Sequence, residues 1–137
     1  MRSTTTRNSI PLKCTPQAAY EFVTTPDNWV GTHPVTAEVI GDNTGQSAVV
    51  GASWIEVIVH EGEAPFKAEW TVTEAIPGAR WVIVAYELRG PREHCEIVYT
   101  FDEADGGTEF TRVMTVHSPS VDRHGVYLKK VKEALEG

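Results

Sequence analysis

From Gly51 to His117 the chain reads as a train of strand-like segments, each about ten residues long and closed by compact turn residues. The segments are Ser53–His60, Phe66–Ile76, Arg80–Leu88, Glu93–Glu103 and Thr108–His117. Their separators are Glu61-Gly62-Glu63, Pro77-Gly78, Gly90-Pro91 and Asp105-Gly106-Gly107. Connections this short join antiparallel neighbours, because a parallel pair needs a long crossover. Where the faces can be read, one is strongly apolar and carries a single charge, Arg112. A curved antiparallel sheet around a cavity is the expectation.

Alternation is clearest in the last two strands. Cys95, Ile97, Tyr99 and Phe101 point one way, while His94, Glu96, Thr100 and Asp102 point the other. On the following strand, Phe110, Arg112, Met114 and Val116 oppose Glu109, Thr111, Thr115 and His117. A two-residue Asp105-Gly106 turn pairs Phe101 with Phe110, Tyr99 with Arg112, Ile97 with Met114 and Cys95 with Val116. A Gly106-Gly107 turn keeps the faces and sets Phe101 against Arg112. In either register an aromatic ring stands roughly 5 Å from the arginine at Cβ, within reach of a phenol hydrogen bond or ring stacking. Phe66, Ala68, Trp70 and Val72 likewise share an apolar face. Two strands stay ambiguous. Over 80–88 the set Val82, Val84, Tyr86 and Leu88 is more apolar than Trp81, Ile83, Ala85 and Glu87. Over 53–60 the choice lies between Ile55, Val57 and Val59, or Trp54, Glu56, Ile58 and His60, and the second places an acid and a base inside.

The flanks complete the plan. Arg2–Leu12 is Thr-rich and reads as a polar strand at a sheet edge. Thr15-Pro16 starts a short helix with Ala19, Phe22 and Val23 on its apolar face. Thr25-Pro26 starts a second helical piece carrying Trp29, which His33-Pro34 ends. Thr36–Ile40 is the next strand, followed by a polar loop over 41–47. After Ser118-Pro119, Tyr127, Leu128, Val131, Ala134 and Leu135 fall at helical spacing against a charged opposite face, predicting a C-terminal amphipathic helix.

Strand, two short helices, a run of antiparallel strands and a last helix is an order that resembles the helix-grip fold of the START-like and birch-pollen-allergen superfamily (SRPBCC). Thr25-Pro26-Asp27-Asn28-Trp29 with His33-Pro34, Gly51 opening a strand, Trp70-Thr71-Val72 leading to Pro77-Gly78, and Gly107-Thr108 are similar to its polyketide cyclase/dehydrase and lipid-transport branch. The resemblance implies an α+β fold in which a seven-stranded curved antiparallel sheet grips the C-terminal helix over a cavity. It also implies an apolar ligand such as a lipid, sterol or polyketide.

Composition bounds the rest. At 137 residues and 41% hydrophobic, one domain over 1–137 is expected, with a core of its own. The net charge of -7, with scattered lysines and arginines, gives no basic stripe for phosphates, so nucleic acid is not an expected partner. No stretch approaches the ~20 apolar residues of a membrane span and no export signal is visible, so a cytoplasmic protein without membrane insertion is expected, as monomer or homodimer. In that setting Cys14 and Cys95 read as reduced thiols. His33, His94, His117 and His124 lack metal-ligand spacing, and no phosphate loop appears, so neither metal nor cofactor is expected.

Arg112 is the leading site candidate, since a charge on an apolar face needs a partner or water, and a ligand carboxylate, phenolate or enolate supplies one. The competing explanation is a structural arginine bonded to Glu56, Glu87 or backbone, or one whose stem carries the charge to the rim. Tyr99, Glu56 and His60 are the candidate proton carriers beside it. Phe66, Trp70, Tyr86, Ile97, Phe101, Phe110, Met114 and, from the last helix, Tyr127, Leu128 and Val131 are candidate ligand-lining residues. Two functions fit: a cyclase or dehydratase-like enzyme acting on a polyketide-like or other apolar substrate, and a non-catalytic carrier or sensor of an apolar ligand. An ionisable pair converging beside Arg112 favours the first.

Overall fold

The computed structural model describes residues 2–42, 44–45, 48–86, 93–118 and 134–135. The Gly90-Pro91 turn, Glu87 and Leu88, and Tyr127, Leu128 and Val131 of the predicted C-terminal helix lie outside the described residues, while Ala134 and Leu135 near its end are helical.

The seven predicted strands all form: β1 (Arg2–Leu12), β2 (Thr36–Ile40), β3 (Ser53–Ile58), β4 (Phe66–Ile76), β5 (Arg80–Ala85), β6 (His94–Ala104) and β7 (Gly107–Ser118). They build one antiparallel sheet in the order β1-β7-β6-β5-β4-β3-β2, curved into a half-barrel. Polar β1 lies at one edge and short β2 at the other. Register shifts between Thr36 and Glu38 and between Val72 and Glu74 interrupt the ladders, and such bulges sharpen twist and bend.

The β6–β7 hairpin adopts the two-residue turn. Asp105 and Gly106 hold φ of 48° and 79°, the left-handed pair that matches strand twist, and the register sets Phe101 against Phe110 and Tyr99 against Arg112. Next to it, a Cβ on Gly107 would stand 2.2 Å from the Leu12 carbonyl oxygen, so only glycine lets β1 approach here.

Helix α1 (Pro16–Val23) starts as its sequence predicts, with the Thr15 side chain accepting from Ala18 N at 3.1 Å. Its inward stripe is Pro16, Ala19, Tyr20 and Val23, at i, i+3, i+4 and i+7, while Phe22 is 51% exposed. Phe22 therefore leaves the predicted apolar face, and Tyr20 takes the inner place. The last four carbonyls of α1 all accept side-chain donors: Tyr20 O from Thr24 Oγ1, Glu21 O from Thr25 Oγ1, Phe22 O from Asn28 Nδ2 and Val23 O from Trp29 Nε1. With its hydroxyl engaged backwards, Thr25 makes no side-chain cap on the next turn, and Pro26–Trp29 is a single 3-10 turn rather than a second α-helix.

Pairing decides the two ambiguous strands. Trp81, Ile83 and Ala85 stand opposite Tyr99, Ile97 and Cys95, which puts them on the concave face. Val82 and Val84, the more apolar choice by alternation, lie on the other face, and Tyr86 follows them. β5 is the fourth of seven strands and is covered on both sides, with Trp81 at 0%, Val82 at 4%, Ile83 at 0% and Val84 at 4% exposure. On β3, Trp54, Glu56 and Ile58 face the core, opposite Trp70, Ala68 and Phe66. The core is thus the concave face of the sheet, with α1 laid across β6 and β7 and Tyr20 meeting Phe101 edge-on at 5.5 Å between centroids.

Candidate functional site

Adjacent strands set Trp81, Tyr99 and Arg112 side by side across the concave face. Tyr99 is buried, and its ring tilts against Trp81 at 5.4 Å and stacks parallel to Phe110 at 6.1 Å. Arg112 donates from Nε to Tyr99 Oη at 3.5 Å, a long hydrogen bond, and its guanidinium carbon lies 5.9 Å from the Tyr99 ring centroid. Its Nη2 contacts Met114 Sδ at 3.9 Å. Among the described residues no carboxylate pairs with this guanidinium. Glu56, one of its expected structural partners, is engaged elsewhere: its carboxylate accepts from Trp70 Nε1 at 3.0 Å and from Thr36 Oγ1. Glu87 lies outside the described residues.

The charge of Arg112 is felt by three groups. Burial raises the Tyr99 phenol above its ordinary range, with Arg112 opposing and Glu56 adding to the shift, so Tyr99 is a neutral acid at physiological pH. Burial pushes the Cys95 thiol up to about 12 despite Arg112. His33 is drawn down to about 4 by burial first and by Arg112 second, which keeps its imidazole neutral. His33 reaches this position through the loop after the 3-10 turn, where its N–H donates to Trp29 O at 2.8 Å and its ring stacks on Trp29 at 4.8 Å.

Phe66, Trp70, Ile97, Phe101, Phe110 and Met114, all expected to line a ligand, belong to the concave core or pack against it. Glu56 and His60 do not form the expected acid-base pair, because Glu56 is held by Thr36 and Trp70 while His60, beyond the end of β3, stacks on Phe66 at 5.8 Å. Tyr86 does not line the concave face. It is 61% exposed and stacks at 5.4 Å on His94, which alternates with inward Cys95 and so faces outward. The outer surface at this point continues from His94 to His117 at 5.4 Å and to Ser3 Oγ, 2.7 Å from His117 Nδ1.

Sequence reasoning does not single out His33 or Tyr20, and for Trp54 it leaves the face open. His33-Pro34 reads as a helix stop, and nothing in its local pattern places the ring near a strand residue such as Arg112. The signal for Trp54 is its parity with Glu56, once β3 is paired to β4. Among the described residues, no group of three or more His, Cys, Asp or Glu could hold a metal ion, and no helix is long and apolar enough to cross a membrane. A surface pocket of about 280 Å³ at the β6–β7 turn, lined by Pro11–Lys13 and Ala104–Glu109, is remote from this chemistry.

A family model described as polyketide cyclase / dehydrase and lipid transport matches residues 3–136. The chain belongs to this family. Within the curated proteins, penitrem biosynthesis cluster 1 protein I of Penicillium ochrochloron is 29% identical over 133 residues, covering 85% of this chain and 86% of that protein. The fold is shared with Ara h 8.0201, at a TM-score of 0.63 and 15% identity, covering 96% of this chain and 91% of that one. It is shared also with the di-domain ARO/CYC BexL of the BE-7585A biosynthetic pathway, at a TM-score of 0.65 and 16% identity, covering 83% of this chain and 36% of that one. The family and these folds agree with the START-like, SRPBCC resemblance.

Proposed function

We propose that the protein binds a small apolar or aromatic molecule, polyketide-like or lipid-like, against the concave face of its sheet, with Arg112 and Tyr99 gripping an oxygen of it. The observation that carries this reading is Arg112 itself. A guanidinium on a concave face whose other described charge, the Glu56 carboxylate, is engaged by Trp70 and Thr36, and itself bonded only to a phenol at 3.5 Å and a thioether at 3.9 Å among the described residues, is suited to receive an anion or enolate. Family membership supports the ligand class.

The same groups support acid-base chemistry of the cyclisation or dehydration type. Arg112 stabilises negative charge on an enolate oxygen, and neutral Tyr99 supplies a proton to a developing alkoxide. This chemistry also needs a proton acceptor, for which neutral His33 is the candidate beside Glu56 and His60, the carriers that the sequence offers. Enolate carbon adds to a carbonyl carbon, the alkoxide is protonated, and loss of a neighbouring proton with that hydroxyl releases water. The occupied carboxylate of Glu56 favours a second reading, a non-catalytic carrier that holds its ligand through the Arg112–Tyr99 pair.

Calorimetric titration with 1-naphthoate, an aromatic anion, tests the binding claim. Arg112→Ala is expected to weaken binding about tenfold or more, equivalent to roughly 1.4 kcal/mol. Equal affinity in the two proteins removes Arg112 from the site.

A further inference from the structure

Trp54 is 2% exposed, and its Nε1 has no hydrogen-bond partner among the described residues. That is an exception requiring an explanation, since buried polar groups are nearly always paired. Two other interior indoles are provided for: Trp29 Nε1 donates to Val23 O at 3.1 Å and Trp70 Nε1 to Glu56 Oε1 at 3.0 Å. The flanks of Trp54 are aromatic. Trp81 lies parallel to it, with centroids 5.6 Å apart and 1° between planes, and Trp29 meets it edge-on at 5.6 Å. A trapped water would need about two to four polar partners around Nε1, more than a single indole donor. An oxygen carried in on an apolar molecule needs none beyond the indole. The indole N–H can only donate, so it selects an acceptor. Tyr20 Oη, another buried group on this side of the sheet with no partner among the described residues, both donates and accepts and so selects nothing.

We infer that Trp54 Nε1–H is an anchoring donor for a neutral acceptor oxygen, a ketone, quinone or ester carbonyl, on a flat apolar ligand. This rests on the binding reading above and adds a second polar contact to it. Arg112 and Tyr99 take a charged or enolic oxygen, and Trp54 takes a carbonyl that carries no proton. The ligand class narrows from apolar molecules in general to those with at least one neutral carbonyl in addition to any acidic group.

The test reads the indole N–H signals of 15N-tryptophan-labelled protein by NMR during titration with α-tetralone, a fused-ring ketone, and with tetralin, its hydrocarbon counterpart. Trp54→Phe, which keeps a ring and removes the donor, identifies the Trp54 signal, with through-space assignment in the wild type as the second route if that variant folds poorly. Tetralone is expected to move the Trp54 indole proton downfield and to bind about fivefold or more tightly than tetralin, a preference that Trp54→Phe abolishes. Equal affinity and equal shifts for the two ligands overturn the inference while leaving the binding reading intact. A Trp54 indole that keeps a bound-water contact in the presence of saturating tetralone overturns it as well. Binding of neither compound overturns both.

Discussion

In the proposed reading Arg112 and Tyr99 act as a unit, because among the described residues their side chains bond only to each other and, for Arg112, to Met114 Sδ. The guanidinium is held by a stem packed on the apolar face and by one long bond to Tyr99 Oη, so a ligand oxygen can take its donors without breaking an ion pair among the described residues. Tyr99→Phe keeps the ring stacked on Phe110 and removes only the hydroxyl. It is expected to weaken 1-naphthoate by about threefold, less than Arg112→Ala does, with little change in the urea midpoint. A loss as large as that of Arg112→Ala contradicts the division of labour. His33 provides a pH test with a definite sign. Its folded pKa of about 4 lies below its ordinary 6.5, so between these values the unfolded chain binds more protons. Stability therefore rises with pH across that window and is lost as pH falls from 6.5 toward 4. His33→Gln should flatten that part of the profile of urea midpoint against pH, and an unaltered slope removes His33 from the interior. Both cysteines are free, and Cys95 is 1% exposed with its thiol pushed up to about 12, whereas Cys14 is partly exposed. Iodoacetamide on the native protein is expected to alkylate Cys14 well before Cys95, as peptide mass mapping would read. That an aromatic ring faces Arg112 is legible in the sequence, and the turn register makes it Tyr99 rather than Phe101. The position of His33 is not, because it depends on a loop folding back over Trp29.

At the scale of elements, local chemistry and pairing divide the work. The β6–β7 register is set where the left-handed backbone falls, on Asp105 and Gly106 rather than on Gly106 and Gly107, two turns that both keep the faces matched. Helix α1 is legible at its start, where Thr15 and Pro16 act locally, and less so at its end, where four side chains reach back to four carbonyls. Thr25→Ala is expected to lose about 1 kcal/mol by urea denaturation, from one unmade bond to Glu21 O. Gly107→Ala should lose more, about 1–3 kcal/mol, because its Cβ meets backbone rather than a yielding side chain. An alanine tolerated there at no cost would mean that β1 does not approach Gly107 this closely. The face of β5 is not legible, because a central strand is apolar on both sides and alternation carries no sign. That of β3 emerges only from its pairing with β4, where Trp54 meets Trp70 and Glu56 meets Ala68.

For the whole molecule, strand order and edge assignment can be read because short turns leave antiparallel neighbours little choice, and β1 closes the sheet by pairing along its full length with β7. Curvature then turns one alternating face into an interior, which is how residues from β3, β5, β6, β7 and the loop after Trp29 come to surround the same aromatic surface. The proposed site belongs to this scale, since Trp54, Tyr99 and Arg112 come from three strands that only the sheet brings together. The most direct test is a crystal structure of the protein with 1-naphthoate. The naphthalene rings are expected against the concave face beside Ile97, Trp81 and Phe110, with the carboxylate within hydrogen-bonding distance of both Arg112 and Tyr99 Oη. A naphthoate bound on the outer surface, or bound inside with its carboxylate away from Arg112, contradicts the proposed role of the Arg112–Tyr99 pair.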